Sequence, residues 1–202
     1  MTNACPELRW LLAGLLALGG CAQRPPAPLP AGEHGIPHPV RQAFQQAVEA
    51  LHQGRLEQAV AELRQLTARH PRLAAAWYDL GLARLGLGED QAAREALERA
   101  AELRPGDARI HNALGVALRR LGRLEEARAA YLQALDLDPN LASAHRNLGI
   151  LLDLYLDRPA EARDHYLHYR RLAPAARGEV DRWLQELDRR LPRQAHVEGS
   201  EP

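Results

Sequence analysis

Apolar residues return in helical rhythm along most of this chain, and the rhythm itself repeats. Pro71, Pro105 and Pro139 stand 34 residues apart, and Pro174 follows one residue late. The same marks come round between them. Trp77-x-x-Leu80-Gly81 is echoed by His111-x-x-Leu114-Gly115 and His145-x-x-Leu148-Gly149, followed by Gly54, Gly88 and Gly122, and by Ala59, Ala93 and Ala127. A fixed period of this length predicts stacked helix pairs in a solenoid rather than one globular core. Ahead of the first full copy, Val40, Ala43, Phe44, Ala47, Val48 and Leu51 share one helical face. After Pro174, the stripe Val180, Trp183, Leu184, Leu187 and Leu191 leaves Arg182, Glu186, Arg189 and Arg190 on the other side. That predicts a last helix covering the open face of the final repeat.

From Val40 to Pro174 these marks closely resemble the tetratricopeptide repeat. The resemblance implies an all-α helical solenoid of four helix-turn-helix repeats, at 40–73, 74–107, 108–141 and 142–176. A capping helix at 177–191 and a disordered tail at 192–202 complete that expectation. The second repeat carries Trp77, Leu80, Gly81, Gly88, Ala93, Leu97, Ala100 and Pro105; the third carries Leu114, Gly115, Gly122, Ala127, Tyr131, Ala134 and Pro139. Glycine lets crossing helices approach and tolerates left-handed turns, while proline ends the second helix. Two copies depart. The first has Gln46-Ala47 for Leu-Gly, and the fourth gains a residue around Leu156-Asp157-Arg158-Pro159, exchanging the glycine turn for a proline at a helix start.

The first 39 residues follow other rules. Trp10 to Leu18 is an apolar run between Arg9 and Gly19-Gly20, too short to cross a bilayer and suited to a signal-peptide core at 1–20. Leu18-Gly19-Gly20-Cys21 resembles the bacterial lipobox, which implies cleavage before Cys21 and its acylation, with palmitate among the chains. Ala22, where inner-membrane lipoproteins tend to have Asp, implies by the same resemblance an outer-membrane, periplasm-facing protein. Cys5 would leave with the signal. Pro25, Pro26, Pro28, Pro30, Pro37 and Pro39 make 21–39 a lipidated cysteine with an extended tether, spanning roughly 50 Å.

Composition narrows the chemistry. Hydrophobic residues make up 46% of the chain but aromatic ones only 4%, so the core is built from Ala and Leu, which suits helices rather than sheets. With 26 basic and 26 acidic residues there is no bulk attraction to nucleic acid, and none is expected as a partner. Every basic side chain apart from histidine is Arg, which excludes a Schiff-base or phosphate-loop Lys. Ser143, Ser200 and Thr67 are the aliphatic hydroxyls after Cys21, and Ser143 and His145 lie two apart on a helix, where they do not face each other. No catalytic motif is present, and no enzyme activity, cofactor or small-molecule substrate is expected. His165 and His168 could meet a metal on one helix face, but no further ligand has a recognised spacing, so no metal is expected there either. His111 and His145 read as packing residues with a satisfied ring nitrogen.

The family resemblance also implies a concave face lined by the first helix of each pair. The inward slots hold Phe44, Tyr78, Asn112 and Arg146, then Val48, Leu82, Val116 and Ile150, with Leu51, Leu85, Arg119 and Asp153 one turn on and Arg109 and Arg120 beside them. Such a groove has an apolar floor, an aromatic first half and an Arg-rich second half. It suits a peptide or helix with apolar anchors and an acidic group, although exposed arginines can equally do no more than face water. Chaperone-binding relatives use a Lys/Asn clamp for a terminal carboxylate; here Phe44 and Val48 replace its first pair. The expected function is therefore a non-catalytic adaptor lipoprotein with a protein partner, similar to small repeat lipoproteins of type IV pilus assembly. Recruiters of peptidoglycan hydrolases and accessory proteins of energy-transducing transport are the alternatives. A metal or enzymatic protein using His165 and His168 is the alternative of a different class.

Overall fold

The computed structural model describes residues 37–191; the signal segment, Cys21, most of the tether and the tail at 192–202 lie outside the described residues. Over that span the chain forms nine α-helices and one 3-10 turn, with no strand among the described residues. The helices pair as α1 (His38–His52) with α2 (Leu56–Arg69), α3 (Ala74–Leu87) with α4 (Asp90–Leu103), α5 (Ala108–Arg120) with α6 (Leu124–Leu137), and α7 (Ala142–Leu154) with α8 (Pro159–Leu172). The 3-10 turn Pro174–Ala176 leads into α9 (Arg177–Arg190). The tether was expected to run to residue 39, yet α1 begins at His38 with a proline in its first turn. Proline is tolerated there because the N–H it lacks would have no partner inside the helix.

One set of contacts recurs in the last three pairs. A Cβ placed on Gly81 would meet Leu97 Cγ at 2.5 Å, one on Gly115 would meet the Tyr131 ring at 2.5 Å, and one on Gly149 the Tyr166 ring at 2.7 Å. In every case a glycine of the first helix lies against a large buried side chain of the second, so the backbones cross closely. Ala59, Ala93, Ala127 and Ala162 are fully buried at matching points of the second helices. Gly54, Gly88 and Gly122 close the intervening turns at φ +72, +76 and +74. In the fourth pair Asp157 takes the left-handed place at φ +49, so the extra residue moves the turn without abolishing it. Aspartate is among the few residues besides glycine that tolerate this region.

The Pro and Trp slots prove to be halves of one device. Trp77 Nε1 donates to the Pro71 carbonyl at 3.0 Å. The ring nitrogens of His111 and His145 bond the Pro105 and Pro139 carbonyls at 2.8 and 3.0 Å. Each imidazole thus stands in for an indole N–H and ties the start of a first helix to the loop before it.

Successive first helices α1, α3, α5 and α7 touch one another, whereas neighbouring second helices make no comparable contact. First helices therefore line the inner side of the stack. At the far end Val180, Leu184 and Leu187 of α9 are buried in a cluster with Leu148, Leu151 and Tyr166. Trp183 lies 5.3 Å from the Tyr166 ring and 6.3 Å from that of Tyr169, centroid to centroid.

Candidate functional site: the inner face of the first helices

The slots that the family resemblance gives to an apolar floor lie on first helices. Leu82, Val116 and Ile150 are half-buried and pack on the core clusters beneath them. Val48 is half-buried as well, but Phe44 is 8% exposed and belongs to the core rather than to an open surface. Tyr78 keeps a half-buried ring; burial, then the Asp79 carboxylate, pushes its hydroxyl up to about 12, so it is a neutral donor.

The arginines do not form one cluster. Arg109 and Arg119 are ten residues apart on α5, about 15 Å along its axis. Arg109 lies 5.9 Å over the Tyr78 ring centroid, and its Nε and Nη2 donate to the Asp107 carboxylate at 3.0 and 2.8 Å. Burial pushes the Asp107 carboxyl up, but the bonds from Arg109 and the nearby Arg104 charge bring it below the usual carboxylate range. Asp107 also caps α5, accepting from the Arg109 backbone N–H at 3.1 Å. That pins the guanidinium in an exposed, pre-set position.

At the other end, Arg119 is half-buried, lies 5.4 Å over the Tyr155 ring and donates to its hydroxyl at 3.1 Å. It is spent on the fold. Arg120 likewise donates to the Leu85 carbonyl at 2.6 Å and to Asp90 at 3.2 Å. Asp153, expected in the groove, is 8% exposed and held by Arg190 of α9 and by the Tyr166 hydroxyl at 3.2 Å. The capping helix closes over it, so it offers nothing to a partner. Arg146 is different: it is half-buried, with no hydrogen bond or ion pair among the described residues.

Between the two ends runs a polar ladder that sequence reading saw only in part. Asn147 donates to Asn112 Oδ1 at 3.0 Å, and Asn112 donates to Ser143 Oγ at 3.3 Å. Together Tyr78, Arg109, Asn112, Ser143 and Arg146 give the inner face an aromatic ring, a braced cation, an amide–hydroxyl row and an unpaired cation. Tyr155, Asn147 and Asp107 were not anticipated. Tyr155 had one signal, its place beside the extra residue of the fourth repeat.

Surface depressions are open, such as one of about 510 Å³ lined by Arg104, Asp107, Arg109 and Asp138. Among the described residues no three or more His, Cys, Asp or Glu gather as a metal site. His165 and His168 are joined instead by His145 from α7, whose Nδ1 lies 3.1 Å from that of His165 and whose ring stacks on His168 at 4.7 Å. Burial, then His145 and His168, holds His165 down to about 4; burial also lowers His145.

Three family models match the chain. Two described as "Tetratricopeptide repeat" cover residues 44–108 and 96–129, and one described as "TPR repeat" covers 117–152, so that together they span more than half of the 202 residues. No curated protein matches. Among solved structures, PilF of Pseudomonas aeruginosa is 27% identical with a TM-score of 0.65, over 73% of this chain and 67% of that one. MamA of Desulfovibrio magneticus RS-1 is 25% identical with a TM-score of 0.61, over 67% of this chain and 76% of that one. The first repeat domain of Spaghetti, bound to an HSP90 peptide, shares the fold at 20% identity and a TM-score of 0.56, over 60% of this chain and 97% of that one.

Proposed function

We propose, from the premise that this chain belongs to the tetratricopeptide-repeat family and is a protein-interaction scaffold of that fold, that it is a non-catalytic adaptor of the bacterial envelope. Its partner is a peptide or helix laid along the inner face. The observation that carries this reading is Arg146 standing unpaired among the described residues of the inner face, flanked by the Asn112–Ser143 row and the apolar Val116 and Ile150. A half-buried cation with apolar neighbours suits a carboxylate between apolar anchors, since an Arg–carboxylate pair shielded from water on binding outweighs an exposed one worth ~0–1 kcal/mol. Pilus-type envelope assembly is the preferred setting, in keeping with the likeness to PilF. Recruitment of peptidoglycan hydrolases or service to an energy-transducing transporter would use the same face.

The binding test is a pull-down from solubilised envelope with Arg109→Glu/Arg146→Glu. Arg119 is left alone because it is built into the fold through Tyr155. We expect at least a tenfold loss of the recovered partner with unchanged helicity by circular dichroism, one lost charge-assisted pair being worth ~1.5–3 kcal/mol. Equal recovery by wild type and variant would move the binding surface elsewhere.

In this proposal the scaffold hangs from acylated Cys21 at the outer membrane, facing the periplasm. Cys21→Ser should then remove incorporation of a fatty-acid analogue altogether, because a serine hydroxyl does not replace the thiol in the first alkylation. Incorporation at the wild-type level would refute the anchor and leave the adaptor reading standing.

A further inference from the structure

Three histidines of the fourth repeat meet only because α7 and α8 pack together. His145 Nε2 is bonded to the Pro139 carbonyl at 3.0 Å, so it carries the proton and leaves the Nδ1 lone pair free. That lone pair faces Nδ1 of His165 at 3.1 Å. With both rings neutral, His165 must donate its Nδ1 proton to His145. His168, exposed, stacks on His145 with ring planes 6° apart.

We propose that His145 and His165 form a binding site for a borderline divalent cation such as Zn²⁺ or Cu²⁺, the ion replacing the proton between the two Nδ1 atoms. Zinc–imidazole bonds are ~2.0–2.1 Å, so two nitrogens on one tetrahedral ion lie ~3.3 Å apart. The observed 3.1 Å is close to that, but the His145 lone pair now points at His165 Nδ1, so the His165 ring must turn for its own lone pair to meet the ion. Imidazole nitrogens suit these ions and not Mg²⁺ or Ca²⁺. The Pro139 carbonyl already plays the outer partner that fixes tautomer and ring orientation of a ligating histidine. His168 follows His165 by three residues on the same helix face, and its exposed ring can turn to supply a third nitrogen, water filling the rest.

The protons balance simply. On binding, the His165 proton moves from Nδ1 to Nε2, both rings stay neutral, and the bond to Pro139 is kept. Asp164 and Glu161 flank His165 and offset the ion's charge, while Arg171 donates to His168 Nδ1 at 3.0 Å and must release it for three-ligand binding. The ion would clamp α7 to α8, the last repeat before the cap. The expectation of no metal at His165 and His168 counted residues on one helix only; the facing ligand comes from 20 residues earlier.

The test uses the untagged full chain carrying Cys5→Ser and Cys21→Ser, so that no thiolate competes, titrated with zinc chloride. We expect one ion bound per chain by calorimetry and a zinc-dependent rise in Tm. His165→Gln, at a half-buried site, should weaken that affinity at least tenfold and remove the rise, whereas His52→Gln on the exposed side of α1 should change neither. Nitrogen-15 spectra should show His165 switching from the Nδ1–H to the Nε2–H tautomer with zinc while His145 stays Nε2–H. Superimposable isotherms for wild type and His165→Gln, or a Tm that responds to pH but not to zinc, would overturn the site.

Discussion

Deleting residues 175–202 lowers the unfolding free energy by roughly 5 kcal/mol, taking ~1.5–3 kcal/mol for each large apolar side chain removed from its burial. Val180 and Leu187 are fully buried and Leu184 nearly so, and Trp183 packs against Tyr166 and Tyr169. The loss is also electrostatic. Without Arg190, the little-exposed Asp153 keeps only the Tyr166 hydroxyl, and a buried carboxylate stripped of its cation is costly. Solenoid stability runs through nearest neighbours, so the damage should begin in α7 and α8 and leave the first pairs folded. Thermal melts by circular dichroism measure the total, and hydrogen exchange should show α7 and α8 losing protection first. A chain ending at residue 191 isolates the tail from the helix; it should melt like the full chain. A truncated chain with an unchanged midpoint would mean that α9 caps nothing.

The uneven legibility of this molecule has a physical source. The repeat frame was readable because each mark serves a contact inside one period: Gly115 lies against Tyr131 sixteen residues on, and His111 bonds the Pro105 carbonyl six residues back. That the slot residues ride on first helices was readable for the same reason. Their availability was not. Arg119 is taken up by Tyr155, 36 residues away, and Asp153 by Arg190, 37 residues away. Such pairings depend on the residue one repeat further along, and a repeat consensus leaves those identities open. Arg146 makes no such bond among the described residues. The histidine trio was hidden similarly, since His145 was assigned to its packing slot and the slot uses only one of its two nitrogens.

The second large effect separates the two roles of glycine in a helix. Gly115→Ala should destabilise the protein by ~1–3 kcal/mol, and Gly115→Leu by more, as overpacking of a dense core does. A Cβ at Gly115 would sit 2.5, 2.6 and 2.9 Å from Cε1, Cδ1 and Cζ of Tyr131, a fully buried ring without room to swing aside. Against this, alanine is the better helix former by ~0.8–1.0 kcal/mol, so the net sign rests on the clash. Gly178 in α9 supplies the comparison, because nothing lies within 4 Å of its added Cβ and its residue is exposed. Gly178→Ala should therefore gain ~0.5–1 kcal/mol from the same chemical change. Urea melts of both variants give opposite shifts in midpoint if close helix approach is what Gly115 is for. The consequence reaches the inner face. Pushing α5 away from α6 moves Arg109 off the Tyr78 ring and Asn112 off Ser143, contacts now at 5.9 and 3.3 Å. Gly115→Ala should thus weaken partner recovery without touching a contact residue. A stability gain in both variants would show that the stack yields at this crossing and that glycine there is not required by packing.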